Sequence, residues 1–476
     1  MKPGTKRVSK RWRSGLGWGV LALVGLAMLA WAVSGMRGPS SVRRVALAQL
    51  SPPPPLAGRN AFQTLWQLPY AIPEQARAAV FAEDVRRWKA LAAAPPTGDE
   101  APTLRPASIA EGRYPPSLGE EDRARFCPKG SGCLAAVEAD PAGHAELVAR
   151  HAALLDRIEA LSGDAGIRDP FGYPAAMPLP ELQYGHLPLT RYALAFVQGR
   201  RDEALDGTCT AIVTWRRLGA DSDTLIERLV AAAAVRATYA SFFVEMLARL
   251  PRDWPLPASC AAAFAPPTDR EFTLCDAARG EFQYRRAKLA WQARRDRAAG
   301  ARAADKLPAD ADPALAEAAM PLARLCSPAL ERRIRADLPP LGDEGLSGLL
   351  RLECVSNPRA CLLGGMVDAT YDYPEQIQDT HARLRFVALL LRLRADVSDP
   401  RPIFERLQAQ HAAFGSDQRS LRRIDDGRAL CLENYRTTPT ACWDVPLPPY
   451  FATPESTAPE PVRPEPGRPD SAATSP

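Results

Sequence analysis

Histidine is scarce in this chain, five in 476 residues. Because histidine is the commonest metal ligand and general base, its rarity narrows the chemistry open to the protein. No C-x-x-C occurs, which argues against zinc knuckles and thioredoxin-type redox chemistry. G-x-G-x-x-G, the P-loop, H-E-x-x-H and the EF-hand loop are all missing. The nearest approach to a nucleophile elbow, Gly345-Leu346-Ser347-Gly348-Leu349, fails at its last position. Excess charge is also lacking. The formal net charge is +5, and six basic residues sit among the first 13, so the rest of the chain is close to neutral. It lacks the basic footprint of a nucleic-acid binder.

What is present begins at the N-terminus. Lys2, Lys6, Arg7, Lys10, Arg11 and Arg13 precede an uncharged apolar run over 16–35, followed closely only by Arg37, Arg43 and Arg44. A helix of about 20 residues crosses a hydrocarbon core. The run is therefore expected to be a transmembrane signal anchor (15–36), with the basic segment 1–14 held in the cytoplasm by the positive-inside bias. A cleaved signal peptide is the alternative, with Ala46-Leu47-Ala48 as a small-x-small site, but that site lies far beyond the apolar run.

Ten cysteines, an even number, follow the expected anchor. Delivered to an oxidising compartment, they read as disulfides. Three pairs are close in sequence: Cys127 with Cys133, Cys354 with Cys361, and Cys431 with Cys442. The remaining four allow three pairings. Cys209 with Cys260 and Cys275 with Cys326 is favoured, because the two separations are equal and each bridge would clip the ends of a helical segment. On the chain-entropy argument, loops of that length contribute about 4 kcal/mol each and the short ones about 2–3 kcal/mol.

Organisation is mainly helical. Pro52 to Pro55 mark a Pro-rich linker over 37–56, expected to be extended and to hold the domain off the bilayer. The domain itself covers 57–445. Apolar residues recur at helical spacing over 74–92 (Ala78, Phe81, Val85, Trp88) and over 142–161 (Leu147, Val148, His151, Leu154, Leu155, Ile158, Leu161). Over 202–249 the pattern predicts a helical hairpin turning at Gly219–Asp223, with Leu205, Cys209 and Ile212 on one limb and Leu225, Ile226, Leu229, Val230, Phe243 and Leu247 on the other. This hairpin loosely resembles a tetratricopeptide-type unit, but the pattern of that repeat is not met and no peptide groove is inferred from it. A long charged helix over 269–300, another over 374–396 and a short one over 400–413 follow. The period then changes to that of short strands at 420–424, 428–434 and 441–445, with Asp426-Gly427 as a tight turn, giving a small β-hairpin element. From 446 onward a Pro-rich tail, nearly empty of apolar residues, is expected to be disordered.

Candidate chemistry is confined to 368–381, which gathers Asp368, Asp372, Glu375, Asp379 and His381. Two carboxylates and a histidine could activate a water for hydrolysis, and Asp372, Asp379 and His381 are the candidate catalytic residues. Against this, Asp372 and Glu375 stand where carboxylates favour a helix N-terminus. His144 and His151 lie about 10 Å apart along one helix, too far to share a metal ion. The densest basic stretch, Arg285 to Arg297, reads as a solvated helix face.

The sequence therefore predicts a membrane-anchored, disulfide-stapled, mainly α-helical domain with a small C-terminal β element. It is expected at the inner membrane with its main domain periplasmic, contacting the bilayer through 15–36 and an envelope protein through its helix faces. Neither a cofactor nor a metal site is expected. A non-enzymatic scaffold or interaction role is favoured, with an anchored envelope hydrolase working at 368–381 as the alternative.

Overall fold

A computed structural model describes residues 21–33, 40–95, 103–130, 132–298, 300, 313–339, 372–396, 398–399, 401–411, 418–425, 428–436 and 442–451. Helices dominate. Arg201–Ala220 lies at the centre, packing against Pro188–Val197, Ala258–Ala263 and Leu225–Ala233. Its core face is Leu205, Cys209, Ile212, Trp215 and Leu218. One hydrophobic cluster joins these residues to Phe62 and Trp66 near the start of the domain and to Leu430, Leu432, Trp443 and Val445 near its end. Fully burying each large apolar side chain contributes about 1.5–3 kcal/mol.

Several expected elements take a more specific form. The helix expected over 142–161 is two, Pro141–Arg150 and Ala152–Glu159, broken at His151, whose Nε2 lies 2.7 Å from Asp122 Oδ2. The 269–300 helix is a single turn, Asp269–Phe272, followed by Cys275–Ala298. Glu74–Ala93 forms over its expected length, and Asp84, which lies off the apolar stripe, is nonetheless fully buried. Asp84 accepts hydrogen bonds from Trp66 Nε1 (2.9 Å), Ser108 Oγ (2.5 Å) and the Ile109 N–H (2.8 Å), which replace the water it loses.

The hairpin over 202–249 forms, with a different start to its second limb. Thr224 is the N-cap, its Oγ1 accepting the Glu227 N–H at 3.2 Å. Glu227 and Arg228 are buried there while Ile226 is exposed, the reverse of the apolar periodicity. The limb continues through a π-helical turn, Ala234–Tyr239, into Ala240–Ala248. Over Leu225–Ala248 the hydropathy reaches that of a membrane span, yet more than half of the apolar window is buried inside the protein, as a core helix would be.

Part of the expected spacer is helical. Ser41–Gln49 packs through Ala46 and Leu50 onto Ala277, Phe282, Ala319 and Leu322. Arg43 pairs with Glu317, and Arg279 and Gln283 donate to the carbonyls of Gln49 and Leu50 at 3.0 and 2.8 Å. Only six residues, 34–39, separate Ser40 from the apolar helix Leu21–Val33.

The C-terminal element is a three-stranded antiparallel sheet: β1 (Leu421–Ile424), β2 (Ala429–Glu433) and β3 (Cys442–Pro446), in the order β1-β2-β3. Leu430 faces Val445 and Leu432 faces Trp443 in the β2–β3 register. The expected Asp426-Gly427 turn and residues 452–476 of the expected tail lie outside the described residues, whereas 446–451, also expected to be disordered, are held on the domain: Pro446 ends β3, the Leu447 N–H donates to the Arg428 carbonyl at 2.8 Å and Phe451 is buried in the core. Four cysteine pairs sit at disulfide distance: Cys127–Cys133, Cys209–Cys260, Cys275–Cys326 and Cys431–Cys442. The second ties Ala258–Ala263 to the central helix, the third fastens the end of Pro313–Arg324 to the start of Cys275–Ala298, and the fourth joins β2 to β3. Cys354 and Cys361 lie outside the described residues.

Candidate functional site

Tyr373–Ala395 carries the residues singled out from the sequence, with Pro374 in its first turn and Asp372 at its N-cap position. Asp372 forms an ion pair with Arg436 and accepts from Gln376 Nε2 at 3.2 Å. Asp379, one side chain deeper, is fully buried and accepts from Arg419 Nη1 (2.6 Å) and from the N–H groups of Tyr435 (2.8 Å) and Arg436 (3.2 Å). Arg419 is also held by both oxygens of Asp337, at 2.7 and 2.8 Å, and Asp337 takes Arg385 at 2.9 Å. Asp379 is thus one acid of a closed ion network that docks the sheet on the helix.

His381 points elsewhere. Its ring meets Phe272 edge-on at 4.9 Å, and it hydrogen-bonds to neither carboxylate. Burial first, then Arg228, Arg385, Arg216 and Arg419, hold its pKa well below the usual histidine range. The structure therefore brings Asp372 and Asp379 together on Arg436 and keeps His381 apart as a neutral core residue. Asp368 lies outside the described residues. His144 and His151 are separate anchors, His144 on the Asp140 carbonyl at 2.7 Å and His151 on Asp122.

Beside this network lies a cavity of about 430 Å³ between the helices and the sheet, lined by Arg236, Ser241, Asp379, Arg383, Arg436 and Trp443, among others. This volume falls within the range of small-molecule sites. Arg236 reaches it from the π-helical turn, a local rewinding that often marks functional positions. Arg383 enters from Tyr373–Ala395, its guanidinium 4.9 Å from the centre of the Trp443 ring, a cation–π contact. Arg383 donates to the Arg236 carbonyl at 3.2 Å and to Asn434 Oδ1 at 3.3 Å, and its buried Nε has no partner. Burial, then the Arg236 charge, push the Arg383 pKa down to about 9; burial lowers that of Arg236 too.

A second polar centre sits at the start of the same limb. In the turn Asp169-Pro170-Phe171-Gly172-Tyr173, the Asp169 carboxylate accepts the N–H groups of Phe171, Gly172 and Tyr173 and the hydroxyl of Tyr284. Asp223 accepts the Asp169 N–H and the Tyr173 hydroxyl, both at 2.9 Å. Glu227 lies one turn further on. The helix Cys275–Ala298 crosses here at Gly280, where a Cβ would stand 1.9 Å from the Asp223 carbonyl oxygen. Burial pushes Asp223 up to about 6 and Glu227 well above the carboxylate range, with the Asp223 charge raising Glu227 further.

Sequence reasoning missed both centres. The available signal was an ionisable residue inside an apolar helical run: Glu227 and Arg236 in Leu225–Ala248, Arg383 in Tyr373–Ala395. Among the described residues, the one cluster with metal-ligand spacing is Cys431, Cys442 and Asp444, whose two sulfurs are already paired with each other. A further cavity of about 320 Å³ is lined by Glu159, Arg191, Tyr192 and Trp215, but its Arg191 is answered by Asp156 (2.8 Å) and Glu159 (2.7 Å). No protein-family profile, curated protein or solved structure matches the chain.

Proposed function

We propose that this chain is a single-pass inner-membrane protein, N-terminus cytoplasmic, whose periplasmic helical domain is a non-enzymatic binding or scaffold module of the cell envelope. The observation that carries the reading is the helix Leu21–Val33. Leu21, Leu23, Val24, Leu26, Met28, Leu29 and Trp31 are all at least half exposed there, whereas in the rest of the described chain only Val42, Val45, Leu179 and Ile226 are exposed large hydrophobics. A run of that kind needs an apolar solvent. Four cysteine pairs at bonding distance agree with an oxidising compartment on the far side.

A binding role is favoured over the hydrolase because the three candidate residues are otherwise engaged: Asp372 in an ion pair, Asp379 in the Arg419 network, His381 against Phe272. Alkaline extraction of membranes, combined with thiol labelling of intact cells before and after reduction, tests the reading. Retention in the pellet with no labelling until reductant is added is expected. Release into the supernatant, or ten thiols reactive without reductant, would overturn it.

A further inference from the structure

We propose that the cavity between the π-helical turn, the helix Tyr373–Ala395 and strand β3 is a binding site for a small organic anion, whose phosphate or carboxylate group is held between Arg236 and Arg383. This site stands on its own geometry and does not depend on the membrane reading.

Among the described residues neither guanidinium has a carboxylate partner, whereas Arg419 has two, Arg191 two and Arg216 the bidentate Glu271; buried Arg228 and Arg394 pair with no carboxylate either, but backbone carbonyls hold them and they do not line this cavity. Arg383 is 8% exposed and Arg236 is half-buried, so water answers them only in part. Arginine cannot discharge itself by losing a proton, and burying an ion without its counter-ion costs several kcal/mol. The acids that border the cavity form no ion pair with either guanidinium, although Asp379 acts on both and Asp444 on Arg383 from a distance, and one oxygen of Glu245 is left without a partner. Asp379 is taken by Arg419 and two backbone N–H groups; Glu245 faces the N–H groups of Gly132 and Leu134 and the guanidinium of Arg249 at 3.7 Å; Asp444 is exposed.

The fixed groups suit an anion. Arg383 is locked by Trp443, Asn434 and the Arg236 carbonyl, so its guanidinium would engage a ligand without further loss of side-chain freedom. Trp443 is itself held by Ser241 Oγ at 3.2 Å. An oxyanion between two such guanidinium groups would form short, charge-assisted hydrogen bonds. Apolar area from Trp443, Ala237 and Pro446 would cover the organic part.

The test is calorimetric titration of the full chain in neutral detergent at low ionic strength, with inorganic pyrophosphate and, separately, citrate. Binding of at least one probe at one site is expected, weakened tenfold or more in both Arg236→Gln and Arg383→Gln and unchanged in Arg249→Gln. Pyrophosphate alone would indicate a phosphate ligand, citrate alone a carboxylate one. No binding of either, or equal binding by wild type and Arg236→Gln, overturns the proposal. Folding gives an independent check. Arg236→Leu should leave the ligand-free melting temperature unchanged or raised, because an unanswered cation is removed. A fall of many degrees would make Arg236 a structural residue and defeat the assignment.

Discussion

The two polar centres at the start and the middle of one apolar limb solve the same electrostatic problem differently. At Asp223 and Glu227, carboxylates are crowded into the core, and each can take up a proton; burial and mutual repulsion push their pKa values up, and tyrosine hydroxyls supply hydrogen bonds. At Arg236 and Arg383, the buried groups are guanidinium ions, which hold their charge at any physiological pH. The acid centre can discharge itself by taking up protons, although Asp223 Oδ1 and Glu227 Oε2 lack hydrogen-bond partners. The arginine centre needs an ion from outside, and it is the one that borders a cavity.

The contrast can be broken first at the Arg419 network, where arginine charge is answered internally. Asp337→Ala leaves Arg419 and Arg385 short of their acid in a buried site, and should lower stability by about 3–5 kcal/mol in denaturant unfolding. A loss under 1 kcal/mol would mean that buried guanidinium groups are tolerated here without carboxylates, and the argument from unmatched charge would fail.

The acid centre gives a pH signature. Asp223 is protonated below about pH 4 in both folded and unfolded chains; above that the unfolded chain ionises first, and the penalty on the native state grows until about pH 6, where the folded group ionises. A shift of that size corresponds to about 3 kcal/mol lost between pH 4 and pH 6, with Glu227 and Asp169 acting in the same direction. Acids with lowered pKa values, such as Asp122, act below this window. Asp223→Asn should flatten the decline in melting temperature from pH 4 to pH 6. An unaltered profile would show that the centre holds its charge by other means.

The smallest expected effect concerns the start of the limb. Thr224→Ala removes the cap on the Glu227 N–H and should cost about 1 kcal/mol, with no change in anion binding at the arginine cavity. Altered anion binding would join the two centres into one coupled system.

Much of this fold was legible in the residues. The 74–92 and 374–396 helices, the helical hairpin and the three strands follow from apolar period and turn residues, and the equal cysteine separations pointed to the pairing found at Cys209–Cys260 and Cys275–Cys326. The spacer was misread in part because Pro52 to Pro55 suggested extension, while the amphipathic Ser41–Gln49 before it was short and interrupted by Arg43, whose partner Glu317 is remote in sequence. The site was less legible for the same reason. Asp372, Asp379 and His381 are neighbours along the chain, but residues 379 and 381 leave the helix in nearly opposite directions. Arg236 and Arg383 come together only through tertiary packing, and the π-helical turn that aims Arg236 has no pattern in the sequence.

Thermal unfolding of the full chain in phosphate, citrate and chloride buffers at matched ionic strength tests the central claim most directly, with Arg236→Gln alongside wild type. Phosphate, citrate or both should raise the wild-type melting temperature over that in chloride and leave that of Arg236→Gln unmoved. An equal rise in both proteins would contradict that claim, placing the effect of the anion somewhere other than the arginine cavity.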